Sequence, residues 1–304
     1  MEKLVFFCKS YDKDMLRARR MAESVHRFNQ DAIPLYVSVP DKDLAAFKEC
    51  LAPFPVHFYT DEQLLDISAG ANGPLPALFP PHLIQQLLKL EFWRTGVCQN
   101  YAWIDSDSYF IRPFDTAEFF WNDQIPYLIQ DEYDAENELA RLQHVPRKVR
   151  EKRVRNISEL ITRFRGLFGN SGPFVAFGGS TPIIWSCQVL EAFNTEYLKP
   201  QNKNIYEILY EYPCETQLYG EYMHYSHTQV LKPHPHMFKS YYHADDFYIS
   251  QEMGENEYTL SKEYTGICIQ SNWARLVEKK NNKDRLIKHT KEFLRALGLI
   301  KFKK

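Results

Sequence analysis

Two aspartates, Asp105 and Asp107, follow a short apolar run of residues 101–104, Tyr-Ala-Trp-Ile. Within a strand, carboxylates at positions i and i+2 would share a face, and two of them cannot both point into a buried core. A loop at the strand end instead lets both reach one divalent ion. Oxygen ligands suit Mg²⁺ or Mn²⁺, ions that commonly bridge carboxylates and a diphosphate. The pair by itself predicts an oxygen-ligand metal site, and its position after several strand–helix units favours a metal that assists the departure of a diphosphate as a Lewis acid. A solvated turn with capping aspartates is the alternative.

A helix predicted over about residues 82–95 comes just before these aspartates and ends at Gly96. Gln86, Lys89 and Trp93 are spaced i, i+3 and i+7, so they share one helix face and place an amide beside an ammonium. A face turned toward the aspartates would let Lys89 contact a phosphate. The alternative is an exposed lysine on an amphipathic helix.

Alternating strands and helices come before this helix, followed by a Gly-, Ala- and Pro-rich loop at 66–82. Strands are predicted at 4–8, 33–39 and 56–59, and helices at 14–29 and 41–51. Successive βαβ units predict a mainly parallel sheet that binds ligands beyond the carboxyl ends of its strands. Lys9, Ser10 and Tyr11 follow the first strand and Asp61 follows the third, so all four are expected at that edge.

The second half of the sequence offers a separate group of candidates. An apolar strand ends in Gly178 and Gly179, where a backbone can approach a ligand closely. A helix beginning at 180–182 is expected to carry Trp185. Glu215 opens a predicted helix, a position that keeps a carboxylate ionised and able to accept a proton from a hydroxyl. Glu221 is the second candidate for that base, and helix capping is the alternative role for Glu215.

Composition limits the class of protein. The 304 residues carry 37 Lys and Arg against 39 Asp and Glu, so no overall charge favours nucleic acid, and no nucleic-acid partner is expected. The six cysteines form no CxxC pair, which predicts reduced thiols in the cytoplasm. No secretory signal or membrane span is predicted, because the apolar runs are shorter than the roughly 18 residues a span needs.

The segment Gln86-Leu-Leu-Lys-Leu90, followed by Trp103-Ile-Asp-Ser-Asp107, resembles bacterial nucleotide-sugar glycosyltransferases of the GT-A class. Within that class it is similar to an uncharacterised bacterial family with Gln-x-x-Lys-Leu upstream of Trp-Ile-Asp-Ser-Asp. The resemblance implies an α/β fold with a Rossmann-like mixed sheet, mainly parallel and flanked by helices. It implies one catalytic domain over 1–275, with a nucleotide-sugar half at 1–115 and an acceptor half at 116–275. A basic amphipathic helix is expected at 276–304.

The resemblance also implies an activity: metal-dependent transfer from a nucleotide-diphosphate sugar to a glycan or lipid-linked acceptor, with inversion, in bacterial surface polysaccharide or lipopolysaccharide synthesis. The donor is assigned to residues at the strand ends and on the preceding helix, namely Lys9, Ser10, Tyr11, Asp61, Gln86, Lys89 and Asp105. The acceptor is assigned to Gly178, Gly179 and Trp185, and the base to Glu215.

The third metal ligand is where the sequence departs from this class. GT-A enzymes often complete the metal shell with a late histidine, and this sequence offers His234, His236 and His243. We assign His243 together with Asp105 and Asp107. The late strand, however, ends in Gln270-Ser-Asn272, where a histidine would be expected.

Three other functions fit parts of the same pattern. A phosphatase of the haloacid dehalogenase type or a nucleotidyltransferase could use Asp105 and Asp107, and a carbohydrate-binding protein could use the many aromatic residues. The basic runs at 147–155 and 279–304 are read as a solvated helix face and a packed helix. The alternative for both is attraction to an anionic, lipid-linked acceptor or to the inner membrane.

Overall fold

Strands and helices alternate along the first hundred residues, as the sequence predicts. The computed structural model describes residues 1–143, 145–179 and 181–278. The strands are β1 (Glu2–Lys9), β2 (Leu35–Val39), β3 (Val56–Thr60), β4 (Cys98–Trp103), β5 (Ser108–Phe110), β6 (Leu128–Ile129), β7 (Asp131–Glu132), β8 (Val175–Ala176), β9 (Ile183–Ser186), β10 (Pro233–His234), β11 (Phe238–Tyr241) and β12 (Gly266–Ile269).

The α-helices cover the chain between these strands. They are α1 (Met15–Phe28), α2 (Asp41–Leu51), α3 (Asp61–Asn72), α4 (Pro81–Glu91), α5 (Ala135–Arg141), α6 (Arg147–Phe168), α7 (Cys187–Ala192), α8 (Ile205–Glu211), α9 (Glu215–Ser226), α10 (Ala244–Glu252), α11 (Glu257–Leu260) and α12 (Ser271–Glu278). No helix within the described residues is both long enough and apolar enough to cross a bilayer.

The central sheet has the strand order β3-β2-β1-β4-β9. The first four of these strands run parallel, and β9 pairs antiparallel with β4, so that Tyr101 faces Trp185 across the ladder. Because β1 to β4 are parallel, their carboxyl ends meet at one edge of the sheet. The predicted class, a mainly parallel mixed sheet flanked by helices, is confirmed.

A second, three-stranded sheet has the order β11-β12-β5. Its strand β5 follows β4 in the chain. Strand β12 runs parallel to β11 and antiparallel to β5. Since β5 begins at Ser108, the Asp105–Asp107 turn is the direct link between the two sheets. Two further pairs, β6 with β10 and β7 with β8, bring residues 128–132 beside residues 175–176 and 233–234.

Two local predictions are wrong. Residues 66–72 belong to α3 rather than to a loop, because Thr60 and Gln63 form a capping box and the helix buries Leu64 and Ser68. Trp185 lies on β9 rather than on a helix, because the apolar run Ile183–Ser186 pairs along β4. A short apolar run has no periodicity that separates a buried strand from a helix.

One hydrophobic core cluster extends from Leu4 to Phe238 and includes side chains from both halves of the chain. Phe7 of β1 stacks on Phe92 with ring centroids 4.1 Å apart, which joins the sheet to the residues that follow α4. This packing holds α4, and the side chains it carries, against the central strands. Most of the predicted C-terminal helix at 276–304 falls outside the described residues, and α12 covers only its first positions.

Candidate active site

The Asp105–Asp107 turn continues directly from β4. The Ile104 amide donates to the carbonyl of Phe7 at 2.8 Å, and the Ser108 amide donates to the carbonyl of Asp105 at 3.0 Å and closes the turn. These bonds fix the backbone between the two aspartates. The Asp105 side chain remains partly exposed, whereas Asp107 is buried.

Asp107 is held by the far end of the chain. Its Oδ2 accepts a hydrogen bond from the Ser271 amide at 2.7 Å, and Cys268 Sγ lies 3.6 Å from its Oδ1. Burial, together with the charge of Asp105, raises the pKa of Asp107 to about 6. Two carboxylates are thus kept close although their charges repel, an arrangement that favours a bound cation. Asn272 and its neighbours offer no histidine here, but the backbone at 271 does contact Asp107.

Lys89 of α4 joins this turn to the second half of the chain. Its Nζ lies 3.0 Å from Asp105 Oδ1 and 3.5 Å from Glu215 Oε1. The same ammonium lies 3.5 Å from the centroid of the Trp103 ring, a cation–π contact. Burial alone would lower the pKa of Lys89, but the charges of Asp105 and Glu215 outweigh it, and the pKa is raised. Lys89 is therefore a charged, buried group and not an exposed lysine.

Glu215 is the first residue of α9 and is buried. The next residue, Thr216, packs against the glycine pair, because a Cβ added at Gly178 would lie 2.6 Å from Thr216 Oγ1. The close approach of this helix therefore requires glycine at position 178. Lys89 and Gly178 thus border the two sides of the α9 N-terminus.

Polar side chains also meet where β1, β2 and β3 end. Lys9 Nζ lies 2.9 Å from Asp61 Oδ2, and Ser38 Oγ donates to Asp61 Oδ1 at 2.7 Å. Burial raises the pKa of Asp61, and Lys9 and Ser38 oppose that shift. Ser10 is buried, and its hydroxyl has no hydrogen-bond partner within the described part of the chain. Tyr11 beside it is only half-buried.

This group lies close to the Lys89 ion pair. The Cys8 thiol near the end of β1 interacts with both groups. Its pKa is raised overall, by burial and then by the charge of Asp105, while the charges of Lys9 and Lys89 oppose the shift. Gln86, one turn before Lys89, has a buried side-chain oxygen without a partner in the part of the chain the structure describes. Two unpaired buried oxygens, on Ser10 and Gln86, therefore lie on elements that border this edge.

The glycine pair borders a second polar group. His236 Nε2 lies 2.7 Å from Asp131 Oδ2, and a Cβ added at Gly179 would lie 3.4 Å from the same nitrogen and 3.1 Å from the Tyr242 hydroxyl oxygen. The hydrogen bond from His236 lowers the pKa of Asp131. Burial raises the pKa of Tyr242; Cys268, Asp105 and Asp131 add to the effect, and a hydrogen bond with Ser240 opposes it.

Two carboxylates are too few to complete the shell of a divalent cation, which would take its remaining ligands from other groups. Within residues 1–143, 145–179 and 181–278, no three His, Cys, Asp or Glu side chains are grouped as a metal site, so His243 does not join Asp105 and Asp107 in such a group. His243 instead precedes α10 as its N-cap residue. Mg²⁺ characteristically binds one or two carboxylates together with substrate phosphates and water. The donor set therefore fits a metal that arrives with a diphosphate.

The structure brings most of the predicted site residues to one edge, but not Trp185. That ring is fully buried, stacks on Tyr219 at 5.2 Å and meets Trp103 at 5.6 Å, so it packs in the core and presents no surface to an acceptor. Trp103 and Ser38 were not singled out from the sequence. Trp103 is part of the Trp-Ile-Asp-Ser-Asp segment itself and could have been identified there, whereas Ser38 has no such signal. The functions assigned to all these residues remain predictions.

No protein-family model matches the sequence, and no curated protein is significantly similar to it. Among solved structures, the apo bifunctional glycosyltransferase WbbM is 11% identical, with a TM-score of 0.50 over 88% of this chain and 45% of that chain. This protein has a glycosyltransferase fold. The chain spans less than half of WbbM, and at this identity the likeness concerns the fold alone. The predicted GT-A-type α/β fold is thus confirmed.

Two further glycosyltransferases are similar at lower TM-scores. Mouse xyloside xylosyltransferase 1, in its apo form, is 11% identical with a TM-score of 0.47, covering 89% of this chain and 98% of that chain. The galactosyltransferase LgtC, in complex with donor and acceptor sugar analogs, is 10% identical with a TM-score of 0.45, covering 98% of this chain and 97% of that chain.

Proposed function

We propose that the protein transfers a sugar from a nucleotide-diphosphate sugar to a glycan or lipid-linked acceptor. The observation that carries this proposal is the buried Lys89 ammonium, which bridges Asp105 and Glu215 at the carboxyl edge of a sheet with a glycosyltransferase fold. The Lys89 ammonium thus contacts Asp105, which we assign to the donor, and Glu215, which we assign to the acceptor. Bacterial surface polysaccharide or lipopolysaccharide synthesis is the pathway we propose on the sequence resemblance.

The donor would lie along the ends of β1, β3 and β4. Lys9, Ser10, Tyr11 and Asp61 are assigned to the nucleoside, because they supply donors, acceptors and an aromatic ring at that edge. Gln86 and Lys89 are assigned to the diphosphate. Asp105 and Asp107 would hold Mg²⁺ or Mn²⁺, which when bound supplies Lewis-acid stabilisation of the leaving diphosphate.

Glu215 is assigned the role of the base that takes the proton of the acceptor hydroxyl. In the proposed step the acceptor hydroxyl oxygen forms a bond to the anomeric carbon, the bond from that carbon to the diphosphate oxygen breaks, and the hydroxyl proton passes to Glu215. The leaving diphosphate keeps the electron pair, and the anomeric configuration inverts. Lys89 holds the Glu215 carboxylate at 3.5 Å before the acceptor arrives. Gly178, packed on Thr216, marks the acceptor side.

A haloacid-dehalogenase-type phosphatase is not favoured by the topology. Enzymes of that type carry the Asp-x-Asp motif after the first strand of the core, whereas here it follows β4, the fourth strand in chain order. A nucleotidyltransferase would also use a metal and a nucleotide, but it would release pyrophosphate from a nucleoside triphosphate. The released product therefore separates that reaction from sugar transfer.

The proposal is tested by thermal unfolding in the presence of a panel of nucleotide sugars, each with and without Mn²⁺ or Mg²⁺. A donor present at a hundred times its Kd should stabilise the fold by about 2.7 kcal/mol. Asp107→Asn should abolish the metal-dependent part of the shift, and Asp123→Asn, on an exposed side chain, should keep it. The proposal would be contradicted if no nucleotide sugar stabilised the wild type and if Asp107→Asn showed the same thermal unfolding as the wild type.

The base is tested separately. Glu215→Gln should abolish sugar transfer while the metal-dependent stabilisation by the donor persists, because the substitution removes a proton acceptor and leaves Asp105 and Asp107 in place. Normal turnover by this variant would exclude Glu215 as the base and leave the proposal of donor binding unaffected.

We also propose cytoplasmic localisation, with peripheral contact to the inner membrane through the basic C-terminus.

A further inference from the structure

A histidine–aspartate pair, His236 and Asp131, lies beside Gly179, the neighbour of the glycine that packs on Thr216. Strand β7 pairs with β8 so that Asp131 faces Ala176, two residues before Gly178. Strand β10 pairs with β6, and the Gln130 amide donates to the carbonyl of His234 at 3.0 Å. These short ladders place His236 beside Asp131 by backbone hydrogen bonds. The pair is therefore positioned by strands and not by surface side chains.

The hydrogen bond of this pair leaves one ring nitrogen unused. Asp131 Oδ2 accepts from His236 Nε2 at 2.7 Å, so in the neutral imidazole Nδ1 carries the free lone pair. Nδ1 is buried and has no partner within the described residues. Buried polar atoms in native proteins nearly always have a partner. A ligand hydroxyl that donates to Nδ1 would supply it.

Gly179 packs closely against this ring. It has a φ of +110°, and a Cβ there would lie 3.1 Å from the Tyr242 hydroxyl oxygen, 3.4 Å from His236 Nε2 and 3.6 Å from His236 Cε1. A phenol and an imidazole edge thus converge on the backbone of the same glycine. A phenol can donate a hydrogen bond to a ligand hydroxyl, and the same hydroxyl can donate a hydrogen bond to the imidazole.

We propose that His236, oriented by Asp131, and Tyr242 form a subsite at Gly179 that binds a hydroxyl group of the acceptor sugar. The subsite rests on the proposed transferase function and deepens it. Gly178 then packs on Thr216, which follows the proposed base Glu215, and Gly179 packs on the hydroxyl-binding side chains. His236 positions the acceptor and takes no proton in the transfer step.

The test uses p-nitrophenyl glycosides as acceptor probes with the nucleotide sugar that stabilises the full chain. His236→Gln keeps an amide near the Nε2 position, where it can still bond to Asp131, but removes the acceptor at Nδ1. We expect the KM for the glycoside to rise about tenfold, the effect of losing one hydrogen bond to substrate. The donor KM and the donor-dependent thermal shift should stay as in the wild type.

Three variants sharpen the result. His236→Asn, which places an amide near the Nδ1 position, should recover part of the lost acceptor affinity. His234→Gln is the matched control, because His234 Nδ1 is hydrogen-bonded to the carbonyl of Pro235 at 2.7 Å and its ring packs on Tyr127, and it should behave as the wild type. Gly179→Ala should raise the glycoside KM more than Gly172→Ala, since both glycines have positive φ but no atom lies within 4 Å of a Cβ at Gly172.

Two outcomes would overturn the subsite while leaving the transferase proposal intact. One is a His236→Gln enzyme with the wild-type glycoside KM. The other is a His236→Gln enzyme whose donor KM rises as much as its glycoside KM, because the loss would then not be specific to the acceptor. Loss of donor binding in the wild type, in contrast, would contradict the proposed function itself.

Discussion

The buried Lys89 and the partly exposed Asp105 form an ion pair in which Nζ and Oδ1 are 3.0 Å apart. The lysine comes from a helix that precedes β4, and the aspartate comes from the turn that follows it. The ammonium also lies against the Trp103 ring of the same strand, so the pair encloses the end of β4. Fold stability and the proposed donor site therefore depend on one charge.

Replacing Lys89 with methionine should lower the free energy of unfolding by about 3–5 kcal/mol, because it leaves two carboxylates without their shared cation. Urea unfolding at neutral pH measures the change, and the exposed Lys42→Met on α2 should be close to neutral. Adding Glu215→Gln should return part of the loss, because the two residues interact directly. Equal unfolding midpoints for Lys89→Met and the wild type would contradict the buried bridge.

Two helical glycines should respond to alanine in opposite directions. A Cβ at Gly220 of α9 would lie 2.0 Å from the Phe177 ring, whereas a Cβ at Gly70 of α3 meets no atom within 4 Å. Gly220→Ala should destabilise by about 1–3 kcal/mol through overpacking. Gly70→Ala should stabilise by up to about 1 kcal/mol, because alanine is the better helix former. Denaturant midpoints of both variants measure these changes, and a stabilised Gly220→Ala would contradict the packing of α9 against Phe177.

Glu91 predicts a pH dependence of stability. Burial raises its pKa, while Arg94, Ser68 and Asn72 oppose the shift. A carboxyl whose pKa is higher in the folded state contributes stability below its unfolded pKa, and that stability is lost as the pH rises through the folded value. The unfolding free energy of Glu91→Gln, minus that of the wild type, should therefore increase with pH above about 4.

The exposed Glu23→Gln should show no such slope in parallel urea titrations. A flat or falling difference for Glu91→Gln would show that the hydrogen bonds of Oε2 outweigh burial. Its Oε2 accepts from Ser68 Oγ and Asn72 Nδ2, both at 2.8 Å, so the test compares two opposing contributions directly.

Asp61→Asn should weaken the binding of a nucleoside diphosphate measured without metal. The substitution removes the partner that holds Lys9 at 2.9 Å and leaves the aspartates after β4 unchanged. Asp66→Asn, exposed on the same helix, is the matched control. Calorimetry with the nucleotide found in the thermal screen gives both affinities. Equal affinities in the two variants would place the nucleoside away from this edge.

The first four strands and the helices α1, α2 and α4, but not α3, could be predicted because their signals are local. The alternation in residues 33–39 and the helical spacing from Met15 to Val25 each lie within one element. Parallel strands then bring Lys9, Asp61 and Asp105 to one edge by topology alone. Lys89 could be placed on a face but not known to be buried, because its burial depends on which way α4 packs.

Other contacts could not be predicted because distant segments create them. The ladders that join Asp131 to His236 involve strands of two residues, too short to leave a periodic pattern. The segment 180–182 predicts a helix start ahead of Trp185, and the four residues Ile183–Ser186 are too few to show the period of a strand instead. The aromatic type of Trp185 alone gave no indication of whether the ring would face a ligand or the core.

The bond between Asp107 and residue 271 joins positions 164 residues apart through a main-chain donor. Because the amide and not the side chain donates, nineteen of the twenty amino acids could hold Asp107 equally, and proline alone could not. A comparison of related sequences would thus show free variation at a position on which the carboxylate depends. Such a chain could drift far from its relatives at the late strand and still keep the geometry of its turn.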